Sequence, residues 1–307
     1  RMLHISFLCF ILSGCASIQT ENIYQSDLKH TYDTNQFLNY REVGNGSKTL
    51  VMLHGFAASN RTWDDVIPYF DKSEFRLILI DLIGSGFSSI PKNADFSMAA
   101  NADTVIDLIH KKQLKDYVLV GHSFGGGVVL NTALKIKNSH TAPPAGLVLM
   151  DAAAYNTGIP FFVKHLRTPV LGRLLLTLTP ASFRAKYTLK QIYFDKSKVT
   201  PDKVNRYAFF SKIPGSNDML LASAQQIIPS NYQSLIEQYK NINTDTLIIW
   251  GLHDNALSIE GGKRLAAEMP AAQLKVIEKS GHNPQEEQPE EVAALIKEFV
   301  ATLSINK

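Results

Sequence analysis

A glycine-rich turn between an apolar run and a helical pattern constrains this chain more than any other feature. The run at 117–120 is Tyr-Val-Leu-Val, and Gly-His-Ser-Phe-Gly-Gly-Gly follows at 121–127. In a Gly-x-Ser-x-Gly turn, side chains at the glycine positions would collide with the neighbouring strand and helix. The pattern predicts a strand, a strained turn and a helix, with the hydroxyl of Ser123 held free of the backbone as a candidate nucleophile.

Apolar runs and helical patterns alternate along much of the chain. The runs are continuous, which is typical of strands buried on both faces of a parallel sheet; they lie at 49–53, 77–80, 117–120, 147–150, 246–250 and 274–277. Helical patterns cover 98–111 and 124–137, and another begins near Pro289. This alternation predicts an α/β fold with a mostly parallel, doubly wound sheet and right-handed crossovers.

The alternation stops between about 152 and 240. This stretch contains several prolines and mixed helical segments, and no apolar run in it is as strong as those elsewhere. We therefore expect a core formed by residues 36–151 and 241–307, with a helical cap at 152–240 inserted over one edge of the sheet.

Two further segments carry candidate catalytic side chains. Asp254 follows the run at 246–250 and Gly251, and His282 lies between the last run and the last helical pattern. A histidine can take the proton of a serine hydroxyl, and a carboxylate can fix the tautomer of that histidine. Asp151, directly after the run at 147–150, is an alternative acid.

These motifs together resemble the α/β-hydrolase superfamily, in which serine, acid and histidine follow one another in this order. Leu-His-Gly-Phe at 53–56 resembles the family's oxyanion-hole turn, which implies that the backbone N–H groups of Phe56 and Phe124 bind the oxyanion. The resemblance also implies that His54 supports this turn and that Asp81 shapes the loop after the next strand. The resemblance covers residues 36–151 and 241–307. Within the superfamily, the sequence most resembles bacterial esterases and lipases of the family V type.

The first residues resemble a bacterial lipoprotein signal. An apolar run at 5–12 follows a weakly basic start and precedes Leu-Ser-Gly-Cys at 12–15. The pattern predicts a signal peptide at 1–14, acylation of Cys15 and a tether at 15–35, which would anchor the protein in the bacterial cell envelope. Ala16, where an aspartate would favour the inner membrane, favours the outer membrane. An ordinary secretory signal is the alternative.

Composition excludes several classes of site. The two cysteines lie at 9 and 15, so the folded body can hold no disulfide framework, cysteine nucleophile or cysteine-bound zinc. Lysine and arginine total 31 against 28 acids, without a basic stripe, which gives no support to nucleic-acid binding. We expect neither a metal nor an organic cofactor.

Hydrolysis of a carboxylic ester or lipid through an acyl-enzyme on Ser123 is the function that these residues favour. A serine at 123 argues against haloalkane dehalogenases and epoxide hydrolases, which need an aspartate there. A C–C bond hydrolase or a perhydrolase (haloperoxidase-like) member of the fold would use the same three residues. A catalytically silent binding lipoprotein is a further alternative, although such proteins usually lack a triad residue. Apolar side chains that could line an acyl pocket are Phe56, Phe87, Phe124, Phe161, Phe162, Leu174, Leu175 and Leu176.

Overall fold

The computed structural model describes residues 28–33, 36–137, 139–156 and 160–303. Within them a single sheet of eight strands has the order β1-β2-β4-β3-β5-β6-β7-β8. The strands are β1 (Leu28–Asp33), β2 (Gln36–Val43), β3 (Lys48–Leu53), β4 (Phe75–Ile80), β5 (Tyr117–His122), β6 (Gly146–Met150), β7 (Thr246–Gly251) and β8 (Ala272–Ile277). β2 pairs antiparallel with β1 and β4, and the remaining pairs are parallel. The predicted fold class is confirmed.

The continuous apolar strands lie at the centre because helices cover both faces of the sheet. On β5, Leu119 faces one apolar core, whereas Val118 and Val120 face the other. Helices α1 (Met98–Lys111), α2 (Phe124–Ile136) and α9 (Ile259–Glu268) contribute to the first core, and α11 (Pro289–Thr302) contributes to the second. Strands β3 and β5 are in register, with Leu53 beside Gly121, so the loops that follow them meet at one edge of the sheet.

Strand β1 occupies part of the segment predicted as a tether. The prediction of a tether over the whole of 15–35 is therefore too long, since 28–33 belongs to the sheet. The sequence of β1, Leu-Lys-His-Thr-Tyr-Asp, contains no apolar run, so this edge strand gave no signal in the sequence. The predicted signal peptide, Cys15 and the rest of the tether lie outside the described residues.

The segment between β6 and β7 is helical. It contains α3 (Phe161–Leu166), α4 (Pro169–Leu178), α5 (Ala181–Ile192), α6 (Pro201–Phe210), α7 (Ser216–Gln226) and α8 (Tyr232–Ile236). Prolines stand at the starts of α4 and α6, where a missing N–H removes no hydrogen bond. A small apolar core that includes Leu189 and Tyr193 holds part of this segment together. Within the described residues, no helix has the length and apolarity that crossing a bilayer requires.

Candidate active site

Ser123 lies at the junction of β5 and α2 in a strained backbone conformation, with φ 52° and ψ −116°. Its N–H donates to the Met150 carbonyl at 2.9 Å, and its carbonyl accepts from Ala153 N–H at 2.9 Å. A Cβ at Gly121 would lie 2.3 Å from the carbonyl oxygen of Gly125, and one at Gly125 would lie 2.4 Å from a backbone oxygen of β3. Only glycine at these positions allows the turn that holds the serine above the sheet.

His282 connects Ser123 to Asp254. Its Nε2 lies 2.9 Å from Ser123 Oγ, and its Nδ1 lies 2.8 Å from Asp254 Oδ2. Because a carboxylate can only accept, the imidazole proton belongs on Nδ1, which leaves Nε2 free to accept the serine proton. The three side chains named from the sequence therefore form one hydrogen-bonded chain.

The side chain of Asp254 is fully buried, yet it is held as a carboxylate. Its Oδ1 accepts the N–H groups of Ala256 at 2.7 Å and Leu257 at 2.9 Å. Burial opposes ionisation, but the charge and hydrogen bond of His282 and these two backbone donors outweigh it, so the pKa of Asp254 is lowered. The carboxylate is fixed in the orientation that the imidazole needs.

Asp151, the alternative acid, lies behind this pair at the end of β6 and is fully buried. Its Oδ1 accepts from Gly251 N–H at 3.0 Å, while its Oδ2 has no hydrogen-bond partner among the described residues. Burial, and then the negative charge of Asp254, raise the pKa of Asp151 well above its usual range. The surroundings of Asp151 thus favour its neutral acid form, and Asp254 is the acid that contacts His282.

Asp151, Asp254 and His282 also place three potential metal-ligand atoms within 4.8 Å of one another. The direct hydrogen bond between His282 Nδ1 and Asp254 Oδ2 uses two of the atoms that would have to bind an ion. The arrangement fits proton transfer better than metal binding.

The loop after β3 lies directly against the serine. A Cβ at Gly55 would be 3.2 Å from Ser123 Cβ, so Gly55 brings the next residue, Phe56, close to the nucleophile. The backbone N–H groups of Phe56 and Phe124 have no acceptor among the described residues. Two free donors beside a nucleophile can stabilise a developing oxyanion.

His54 holds this loop in place. Its Nε2 accepts from Leu82 N–H at 3.0 Å, so its Nδ1 carries the proton and donates to the Gly55 carbonyl at 2.8 Å. Burial lowers the pKa of His54 to about 4, which keeps the ring neutral at pH 7. Its two bonds are both to backbone, as a supporting residue requires.

Asp81 and His253 also lie away from the serine. Asp81 is fully buried and accepts from Asn60 N–H at 2.7 Å and Phe87 N–H at 3.0 Å, which orders the loop after β4. His253 stacks on Phe194 with ring centroids 4.2 Å apart, and it connects the loop after β7 to the inserted segment.

Two residues that position His282 were not found from the sequence. His122 Nε2 donates to the backbone carbonyl of His282 at 2.7 Å, and burial lowers the pKa of His122 to about 3. Glu287 accepts from Gly281 N–H at 2.7 Å and from Phe194 N–H at 2.9 Å. Both lie inside motifs that the sequence does reveal, but their roles depend on contacts between distant loops.

A buried carboxylate connects the inserted helices to the histidine loop. Glu286, in the short helix α10 (Pro284–Glu287), accepts from the hydroxyl groups of Thr62 at 2.7 Å and Tyr207 at 2.8 Å. Its other oxygen accepts from the hydroxyl of Tyr193. Tyr193 and Tyr207 belong to the inserted segment, so this network sets its position over the site.

Ser123 and His282 open into a cavity of about 420 Å³. Its walls are mainly apolar and include Phe56, Phe161, Phe162, Leu175, Leu176, Leu189 and Met219. Phe87, Phe124 and Leu174, which the sequence suggested for the pocket, are not among the lining residues. Arg184 is the only lysine or arginine among the described lining residues, and it donates to the carbonyl groups of Leu176 and Thr179.

Comparison with known proteins agrees with this geometry. The family defined by the alpha/beta hydrolase fold matches residues 48–289. The chain belongs to the alpha/beta hydrolase family. The relatives of this hydrolase differ in their named reactions, so the family does not fix the substrate.

Two curated relatives illustrate this range. The 2-hydroxy-6-oxononadienedioate/2-hydroxy-6-oxononatrienedioate hydrolase of Comamonas testosteroni is 27% identical over 86% of this chain and 91% of its own. The monoacylglycerol lipase ABHD6 of Mus musculus is 24% identical over 83% of this chain and 76% of its own. One similar solved structure is a mutant of CumD, the meta-cleavage product hydrolase of Pseudomonas fluorescens IP01, complexed with acetates. It has a TM-score of 0.71 and 26% sequence identity, and the match covers 87% of this chain and 95% of the CumD chain.

Proposed function

We propose that this hydrolase cleaves carboxylic esters through an acyl-enzyme on Ser123. The observation that carries the proposal is the hydrogen-bonded chain from Ser123 through His282 to Asp254. His282 accepts the serine proton as Oγ attacks the ester carbonyl, and it then donates that proton to the leaving alcohol. The N–H groups of Phe56 and Phe124 stabilise the oxyanion, and a water activated by His282 releases the acid.

The cavity supports an ester with an apolar acyl group. Its walls offer aliphatic and aromatic side chains, which favour a hydrocarbon chain because burial there removes apolar surface from water. A dicarboxylate such as the one in the name of the Comamonas relative would need cationic partners. Arg184 is partly committed to two carbonyl oxygens, and burial lowers its pKa.

C–C bond hydrolysis is the second candidate. The similarity to the Comamonas hydrolase and to CumD favours it, and it would use the same three side chains. The substrate in the name of the Comamonas relative is a dicarboxylate, whereas an apolar ester is uncharged, so substrate preference separates the two candidates.

Hydrolysis of p-nitrophenyl esters from acetate to palmitate tests the proposal. The wild-type protein should hydrolyse these esters, and Ser123→Ala should reduce kcat by on the order of 10⁴-fold or more. Ser85→Ala is the matched control, because Ser85 also lines the cavity, whereas the imidazole of His282 bonds to Ser123 and Asp254. If no ester is cleaved while a fluorophosphonate still labels Ser123, the ester assignment is wrong and C–C hydrolysis takes its place. If the folded protein does neither, the binding-lipoprotein alternative replaces catalysis.

We also propose that Cys15 is acylated and anchors the protein in the bacterial cell envelope. Leu-Ser-Gly-Cys at 12–15 after an apolar run supports this. Cys15→Ala should abolish incorporation of labelled fatty acid and release the protein from membranes, whereas Cys9→Ala should do neither. Membrane association that is unchanged in Cys15→Ala would contradict the proposal.

A further inference from the structure

An exposed apolar surface lies on α4 and α5 beside the cavity. Six of the ten exposed large apolar residues in the described part of the chain fall within 170–187. They form what we call the apolar patch: Val170, Leu171, Leu174, Leu178, Phe183 and Tyr187. Apolar residues scattered singly need no explanation, but a cluster of this kind usually marks an interaction surface.

The patch follows the helical repeat. At about 100° per residue, Val170, Leu174 and Leu178 share one face of α4, and Phe183 and Tyr187 share one face of α5. Val170 and Leu178 are each 73% exposed, so most of the surface of these two side chains is left uncovered. The opposite face of α4 is packed, since Leu176 is buried. Both helices therefore carry apolar side chains on the outward face as well as on the packed face.

The charged side chains of the segment that carries the patch have one sign. Residues 160–194 contain no aspartate or glutamate, and their basic side chains are Lys164, Arg167, Arg173, Arg184, Lys186 and Lys190. Lys186 and Lys190 are exposed on the same helix as Phe183 and Tyr187. Arg173 forms an exposed ion pair with Asp218, with 2.9 Å between Nη2 and Oδ1. Asp218 belongs to α7, outside this segment. An apolar face flanked by lysine and arginine is the pattern of a helix that lies in the interface of an anionic bilayer.

We propose that the apolar patch docks on an anionic phospholipid surface and that ester substrate enters the cavity from the bilayer. Phe183 and Tyr187 belong to both features, because they are 61% and 53% exposed and also line the cavity that contains Ser123. Docking would place the cavity mouth against the lipid. Entry of substrate rests on the ester-hydrolase function proposed above, whereas docking itself does not.

A second copy of this chain fits the patch poorly. A two-fold dimer would place the same helices against each other, and residues 160–194 offer no acid to face their own lysine and arginine side chains. Anionic phosphates supply the missing charge.

Vesicle binding tests this proposal with the full chain carrying Cys15→Ser, so that no acyl anchor contributes. The probes are vesicles of phosphatidylcholine alone and of equimolar phosphatidylcholine and phosphatidylglycerol.

Lys186→Gln/Lys190→Gln should weaken binding to the anionic vesicles about 25-fold, from roughly fivefold per lysine. Val170→Ser/Leu178→Ser should weaken it at least about tenfold, because two apolar side chains no longer enter the interface. The matched controls, Val276→Ser and Lys275→Gln, change exposed residues of β8 and should leave binding unchanged.

Hydrolysis of p-nitrophenyl acetate in the same variants separates this proposal from the proposed function. The four substituted residues do not line the cavity, so soluble-ester activity should persist while hydrolysis of vesicle-embedded monoacylglycerol falls with binding. Vesicle binding that is absent, or equal in patch and control variants, overturns the docking proposal even if acetate is hydrolysed. A dimer that is lost in Val170→Ser/Leu178→Ser, without vesicle binding, assigns the patch to a second copy and also overturns it. Patch-dependent vesicle binding without hydrolysis of any p-nitrophenyl ester from acetate to palmitate supports docking and contradicts the ester-hydrolase function.

Discussion

Replacing Asp151 with asparagine should stabilise the protein at neutral pH. In the folded protein, burial and the Asp254 carboxylate raise the pKa of Asp151 well above its usual range and so favour its neutral form. Asparagine has the same shape, and its carbonyl oxygen can still accept from Gly251 N–H while its amide faces Asp254. The substitution therefore removes only the ability to ionise.

The magnitude follows from the protons bound in each state. An unfolded aspartate releases its proton above a pKa of about 3.9, whereas folded Asp151 keeps it up to its raised pKa. Between these values the unfolded chain binds one proton fewer, so the free energy of unfolding falls by about 1.4 kcal/mol per pH unit relative to the variant. The advantage of Asp151→Asn should therefore grow as the pH rises from about 4 toward the raised pKa of folded Asp151.

Urea unfolding at pH 5, 6 and 7 measures this difference by linear extrapolation. Trp63 and Trp250 are both buried, in different cores, and report on unfolding through their fluorescence. Asp254→Asn should have the opposite effect and lower the free energy of unfolding. The lowered pKa of Asp254 stabilises the fold above pH ~4, and this contribution is lost as the pH falls through the folded pKa. Asp254→Asn should also reduce kcat by on the order of 10⁴-fold, whereas Asp151→Asn should retain activity within about tenfold. Parallel curves of stability against pH for the unchanged protein and Asp151→Asn would refute the reasoning.

The packing and hydrogen bonds of the site give two further predictions. Gly121→Ala should lower the free energy of unfolding by about 1–3 kcal/mol or more, since its Cβ would lie 2.3 Å from the Gly125 carbonyl oxygen. Urea unfolding measures this change. The control is Gly261→Ala in helix α9, where the nearest atom to the added Cβ is 3.4 Å away; its free energy of unfolding should rise by about 0.5–1 kcal/mol, and equal effects of the two substitutions would contradict the steric account. Tyr207→Phe should cost about 1–3 kcal/mol in urea unfolding because Glu286 loses a buried donor, and a change below about 0.5 kcal/mol would exclude that role.

The central strands and the convergence of three side chains could be read from the sequence. The apolar runs are local signals of buried parallel strands, and parallel strands bring the residues after their carboxyl ends to one edge of the sheet. Ser123 and Asp254 follow such strands, and His282 follows β8, an edge strand that runs parallel to β7 but is largely exposed, contrary to its apolar run. The three side chains therefore meet although they are far apart in the chain.

What the sequence could not reveal depends on contacts between distant segments. Strand β1 is an edge strand without an apolar run, so its pairing with β2 left no pattern to detect. The choice between Asp151 and Asp254 depends on which carboxylate reaches His282 Nδ1, and neighbouring strand ends place both nearby. Leu174 was expected to line the pocket, but the rotation of α4 turns it outward to 49% exposure.

Trapping the acyl-enzyme tests the central proposal most directly. The protein is mixed with p-nitrophenyl butyrate, quenched in acid within one turnover and digested with trypsin. The peptide 116–135 contains Ser123, and fragmentation should place one butyryl group on that residue. His282→Ala and Ser123→Ala should show no such adduct. Steady release of p-nitrophenol without a butyryl group on Ser123, or undiminished hydrolysis by Ser123→Ala, would contradict the proposed mechanism.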